Sequence, residues 1–253
     1  FGVAQRARLW KKAEIPPHVL VMTATPIPRT LAMTAYNDLD YSVIDELPPG
    51  RQPVRTVQRN EYDRPKVMDF IKDEIKKGRQ DYIIFPLIEE SEKLDYENLL
   101  KGYENVKDYF PEPPYYISMV HGRQKAVVRE TNMKRFVSGE THIMVATTVI
   151  EVGVNIPNAS VMVVESAEKF GLSQLHQLRG RVGRGNEQSF CILLSGNKTG
   201  KDARERLNIM CRTSDGFRIA EKDMELRGPG DIAGTRQSGI LDFKLADIIR
   251  DKN

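Results

Sequence analysis

Two cysteines, one tryptophan and four histidines are all that occur in 253 residues, and each scarcity removes a class of protein. Cys191 lies in an apolar run and Cys211 in a segment patterned as a helix. Without a pairing pattern they are expected as reduced, buried thiols in a cytoplasmic protein rather than as staples of a secreted fold. The histidines at 18, 121, 142 and 176 show no HExxH spacing, so no metal site is expected on the chain. The most apolar region, 143–164, is broken by Glu151, Asn155, Pro157 and Asn158 and cannot supply the roughly 20 apolar residues of a membrane helix. A phosphate-cradling GxxxxGK(S/T) loop is missing; the nearest lookalike, GNKTGKD at 196–202, lacks both the spacing and the hydroxyl that meets magnesium. No GxGxxG follows an early strand, which argues against a dinucleotide enzyme. No acidic pair follows a strand as a magnesium ligand would. The excess of 38 Lys and Arg over 35 Asp and Glu, a net charge of +3, names no partner, because distribution matters more than the total.

What is present is alternation. Short apolar runs predict strands at 19–23, 54–58, 82–87, 115–120, 142–146, 161–165 and 188–194, and amphipathic stretches predict helices at 64–77, 95–109, 124–137 and 172–183. Strands alternating with helices of this length build an α/β fold with a mostly parallel sheet flanked by helices. Three prolines and a glycine in LPPGRQP, at 47–53, suit a linker between two bodies. After residue 194 the pattern changes to helices followed by the glycine-rich RGPGDIAGTRQSG. The chain opens on FGVAQR without an initiator methionine and closes on the polar IIRDKN, which reads as an excised piece of a longer protein.

Several turns carry groups suited to phosphate. Thr147 and Thr148 follow the 142–146 strand, at the carboxyl end where parallel sheets bind ligands. Gly153 and Asn155 then offer a tight turn and an amide able to reach a ribose. Thr23 and Thr25, in VMTATPIPRT, stand at a second such edge, and a proline-stiffened turn accounts for them equally well. His121, Gly122 and Arg123 lie between a strand and a helix, where backbone amides and a guanidinium can hold a phosphate. The densest feature is QLHQLRGRVGRG at 174–185. It sets Arg181 and Arg184 three apart among glycines, on one face if the helix continues, with small neighbours that admit a ligand and side chains matched to phosphate oxygens. Taken singly, it fits a pair of arginine fingers or a solvated basic helix.

TATPIPRT, HGR, VATTVIEVGVNIPNA and QLHQLRGRVGRG stand in the order of motifs III to VI of superfamily-two helicases, and the chain resembles that superfamily. MTATPIPRTLAMTAYNDLDYSVIDELPPGR, YIIFPLIEESE and LRGPGDIAGTRQSG resemble the RecG family within it, bacterial ATP-dependent helicases and translocases that remodel branched DNA. The resemblance implies a RecA-like fold: residues 1–50 as the trailing part of a first RecA-like domain, 51–195 as the second, and 196–253 as a helical hairpin with a translocation-motif loop. It implies that Arg181 and Arg184 stabilise charge on the transferring phosphoryl group, that Gln177 orders the same cleft, and that Gly153 and Asn155 lie near the nucleotide. The family commonly has aspartate where Asn155 stands; asparagine keeps an acceptor and loses the charge. Thr23 and Thr25 are implied in coupling, His121, Arg123, Thr147 and Thr148 on the DNA side, and Arg227, Arg236 and Gln237 in converting cleft closure into movement.

ATP and Mg²⁺ are the cofactors the resemblance implies for a full-length protein. The cradle and the magnesium-binding motif would precede Phe1, so neither is expected to bind tightly to this piece, which would be inactive alone. Implied partners are branched or forked DNA, together with a wedge domain and a first RecA-like domain of the same polypeptide; no membrane is implied. Two other readings are a non-catalytic nucleic-acid module that keeps a helicase-like fold, and an unrelated α/β enzyme acting on a small molecule.

Overall fold

The computed structural model describes residues 20, 22, 42–44, 46, 48–87, 92–147, 156–197 and 199–227, apart from the side chains of 92–95 and 227. In chain order the elements are β1 (Arg55–Asn60), α1 (Arg64–Lys76), β2 (Gln80–Ile84), α2 (Glu92–Tyr109), β3 (Ile117–Val120), α3 (Ala126–Val137), β4 (Ile143–Ala146), β5 (Ala159–Val164), α4 (Leu172–Arg179), β6 (Phe190–Ser195), α5 (Lys201–Arg212) and α6 (Gly216–Arg227). Single 3₁₀ turns, Glu61–Asp63 and Ala167–Lys169, precede α1 and α4. The predicted strand at 19–23 lies outside the described residues.

The six strands form one sheet in the order β1-β6-β5-β2-β4-β3, and every pairing is parallel. Burial follows from position. All residues of β2, β4 and β5 are buried, so β4 and the stretches 82–84 and 161–164 are apolar, while β2 opens on the buried polar residues Gln80 and Asp81. The edge strand β1 carries Arg55 and Arg59 and is the most exposed of the six.

Alternate side chains feed two cores. Tyr82, Ile84, Met144, Met162, Val164 and Leu193 face one side with Phe136 of α3, Leu172, Leu175 and Leu178 of α4, Leu207 and Met210 of α5, and Ile219 of α6. Ile83, Val145, Val163, Ile192 and Leu194 face the other with Val67, Met68 and Ile71 of α1, Leu99 and Val106 of α2, and Phe110 just after it. The hairpin α5–α6 is therefore seated in the same core as the sheet. Its α6 also meets α4 through Ser173 and Asp223, 3.5 Å apart.

One helix is shorter than its pattern. α4 ends at Arg179, not near 183, because Gly180 caps it and Gly183 turns the chain with φ +74°. A side chain at 183 would be strained at that φ, and a Cβ there would lie 2.7 Å from Val54 Cγ2. Arg181 and Arg184 consequently follow the helix on a turn, and the shared helix face inferred from their spacing does not exist.

Candidate functional site

The turn after α4 is built by local bonds. Gly180 N–H donates to the His176 carbonyl at 3.1 Å and Arg181 N–H to that of Leu178 at 2.9 Å, while the fully buried Val182 plugs into the core. Arg184 folds back, its Nε 3.5 Å from the Gly180 carbonyl. Gly185 passes so close to Pro157 that a Cβ would stand 2.7 Å from its carbonyl oxygen. The two arginines, both partly exposed, remain close enough to act on each other. Burial first, and Arg184 second, depress the Arg181 pKa, while Tyr82 acts the other way. Beneath them burial pushes the Tyr82 phenol up to about 12, against the pull of Arg184 and Arg181. Two guanidiniums held together against their mutual repulsion favour any anion placed between them.

This turn borders an open cleft of about 390 Å³ lined by Pro48, Pro49, Arg51, Gly180, Arg184, Gly185 and Asn186. The far wall is the proline-rich segment before β1. It is bound to the arginine turn by Arg51 Nε to the Gly183 carbonyl at 2.6 Å, Gln52 Nε2 to the Asn186 carbonyl at 3.2 Å and Gln188 Nε2 to the Pro53 carbonyl at 2.9 Å.

Topology divides the candidate residues into two sets. Val54, Pro157 and Ser189, the neighbours of the arginine turn, stand within two residues before β1, β5 and β6, so Arg181 and Arg184 sit at the amino edge of the sheet. Gln177 is exposed on the last turn of α4 beside them. The other set lies at the carboxyl edge, roughly 13–20 Å away at the usual rise per strand residue. There His121 is buried against Tyr96, ring centroids 5.0 Å apart, and Arg123 covers the same ring at 5.6 Å. Burial, then Arg123, lower the His121 pKa, which favours a neutral imidazole. Thr147 is nearly fully buried, and its hydroxyl has no hydrogen-bond partner among the described residues. Thr23, Thr25, Thr148, Gly153, Asn155, Arg236 and Gln237 lie outside the described residues, and Arg227 ends α6 without a described side chain.

Sequence reasoning missed Arg179. It is 4% exposed and spends its guanidinium on the hairpin: Nη1 donates to the carbonyls of Met210 at 2.9 Å and Thr213 at 2.8 Å, and Nη2 to that of Ser214 at 3.3 Å. Nη2 also lies 3.0 Å from His176 Nδ1, whose depressed pKa, caused by burial and then by Arg179, keeps that nitrogen an acceptor. The signal was present: Arg179 follows Leu172, Leu175 and Leu178 on the inward stripe of α4. The motif thus contains one structural arginine and two presented ones.

Among the described residues no group of three metal-ligating side chains comes together, and no helix is long and apolar enough to cross a membrane. The described residues therefore do not fit a magnesium site.

Residues 66–186 match the helicase conserved C-terminal domain, and residues 213–253 match the C-terminal part of domain 3 of the ATP-dependent DNA helicase RecG. The ATP-dependent DNA helicase RecG of a Synechocystis species is 54% identical over 100% of this chain and 30% of its own length. Those of Escherichia coli K12 and Bacillus subtilis are 52% and 50% identical over 37% and 36% of theirs. The chain thus spans about a third of the curated relatives it matches. A structure of RecG bound to a three-way DNA junction superposes with a TM-score of 0.71 at 42% identity, covering 90% of this chain and 29% of that one. The fold is RecA-like: yeast Dbp5, bound to RNA and ADP BeF₃, shares it with a TM-score of 0.51 over 80% of this chain at 15% identity.

Proposed function

Because the chain is homologous along its whole length to the RecG helicases, we propose that it is the C-terminal motor half of an ATP-dependent DNA helicase that remodels branched DNA, acting in the cytoplasm. In this reading residues 51–195 form the second RecA-like domain, 196–253 the hairpin with its loop, and 1–50 the end of a first domain that completes the nucleotide site. The observation that carries it is the pair Arg181 and Arg184, partly exposed, mutually repelling and presented on one turn at the sheet's amino edge. Arg179, by contrast, is buried and bonded to the hairpin.

Arg181 and Arg184 stabilise the charge that develops on the γ-phosphoryl group of ATP, and Gln177, one turn back, orders the same cleft. The DNA backbone runs along the opposite edge, past His121, Arg123, Thr147 and Thr148, and sequence-independent tracking suits these groups. Gly153 and Asn155 approach the nucleotide, Thr23 and Thr25 couple the two sites, and Arg227, Arg236 and Gln237 belong to the moving loop. Magnesium would be held by residues other than those described here.

The test is DNA-stimulated ATP hydrolysis by a full-length RecG-type protein carrying this segment, on forked and linear duplexes. Arg181→Ala and Arg184→Ala should each lower kcat by roughly a thousandfold, as loss of an arginine finger does, with the fold unchanged. Hydrolysis at the parent rate in Arg181→Ala removes the finger assignment. Fork affinity that is indifferent to nucleotide would favour the non-catalytic module instead.

A further inference from the structure

The segment that joins the proline-rich stretch to β1 does more than connect. From Gly50 to Arg55 it lies along residues 183–189, with Arg51 N–H closing a turn on the Pro48 carbonyl at 3.1 Å and Arg55 N–H reaching the Ser189 carbonyl at 2.9 Å. Its shortest side-chain bond is directed at one atom. Arg51 Nε donates to the Gly183 carbonyl at 2.6 Å, and that carbonyl belongs to the peptide whose nitrogen is Arg184's. A peptide is planar, so fixing its oxygen fixes the plane from which the Arg184 side chain departs. Gly183 itself is held at φ +74° with no room for a Cβ. The turn is therefore clamped between Val54 and Arg51 at the point where it presents its second arginine.

We propose that Arg51 is a positioning residue for Arg184, through which the path of the linker sets whether the arginine turn is competent for hydrolysis. The inference rests on the finger reading above and adds its regulation. Residue 51 lines the same cleft as Arg184, so a displacement of the linker by whatever precedes it reaches Arg184 across a single hydrogen bond. Rates of this kind are sensitive to small misplacements: about 1 Å can cost roughly a hundredfold.

Glutamine separates positioning from charge, because its Nε2 occupies the same place along the side chain as arginine Nε but carries neither the charge nor the terminal nitrogens. In a full-length protein carrying this segment, Arg51→Met should lower kcat for DNA-stimulated ATP hydrolysis by roughly ten- to a hundredfold with little change in KM for ATP. Arg51→Gln should restore most of it. Should Arg51→Met fail to fold, judged by thermal unfolding, Arg51→Lys replaces it. Lysine keeps the charge, moves the donor outward, and is expected to lose the rate that glutamine keeps. Parent kcat in Arg51→Met overturns the proposal, as does an Arg51→Gln variant impaired as far as Arg51→Met with a raised KM, which would make Arg51 a phosphate contact. Arg184→Ala serves as the internal control: unimpaired hydrolysis there refutes the finger reading itself, whereas a loss there beside a normal Arg51→Met refutes only the linker's role.

Discussion

Replacing Arg179 by leucine should unfold the hairpin from α4 before it touches any chemistry. The guanidinium is 4% exposed and makes two short bonds, to Met210 at 2.9 Å and Thr213 at 2.8 Å, with a weaker one to Ser214 at 3.3 Å. Hydrogen bonds from a charged donor are worth about 1.5–3 kcal/mol each. Counting the two short ones and allowing for water that re-enters, the loss is about 3–5 kcal/mol. With a urea slope of about 2 kcal/mol/M for a chain of this size, the midpoint should fall by roughly 1.5–2.5 M, and Tm by roughly 6–20 °C. Circular dichroism of the chain in urea reads the first number and a thermal scan the second. Arg181→Leu, two residues away and partly exposed, is the control and should stay within about 0.5 kcal/mol of the parent. A loss below about 1 kcal/mol for Arg179→Leu, or an equal loss for both variants, would refute the division between a structural and a presented arginine.

Asp81 and Cys191 give two more predictions. Asp81 is fully buried and neither carboxyl oxygen is hydrogen-bonded among the described residues; burial, then Glu74, raise its pKa well above 3.8, and Arg79 opposes them. The folded chain keeps a proton that the unfolded chain releases, so Asp81 is least unfavourable below the unfolded value and loses stability as pH rises toward its folded pKa. Asp81→Asn should therefore gain on the parent from about pH 4 upward, by roughly 1–3 kcal/mol near neutrality; a difference in urea midpoint that does not change with pH would contradict this. The Cys191 thiol is fully buried and pushed up to about 12, so a thiolate-specific reagent at pH 8 should leave it unmodified in the folded chain and modify it in urea, and rapid native labelling located there by peptide mapping would count against the packing.

The strands and helices were legible because a parallel sheet covered on both faces needs apolar runs, and 82–84 of β2, all of β4 and 161–164 of β5 are such runs. Edges shifted by two or three residues where pairing outlasts apolar character: β1 continues to Asn60 because all six of its residues pair with β6. The arginine turn was legible as a motif but not as a geometry. Spacing of three implies one helix face only while the helix lasts, and whether it lasts depends on Gly183 meeting Val54, a residue 129 positions earlier in the numbering. The roles of Arg51 and Arg179 are long-range for the same reason: their acceptors, at 183 and at 210–214, are brought to them by the sheet. The opposite placement of the two candidate sets could have been reasoned out, since a helix that returns the chain between parallel strands must start at one edge and finish at the other.

The way the hairpin is seated constrains how this body can move. Leu207, Met210 and Ile219 are no more than 2% exposed, and uncovering three such side chains would cost about 5–9 kcal/mol before the bonds from Arg179 are counted. A state that costly is visited roughly once in several thousand to several million looks. A swing of α5 and α6 away from the sheet is thus too rare to serve as a working stroke, and the hairpin and the sheet move as one body, like a bracket bolted to its plate.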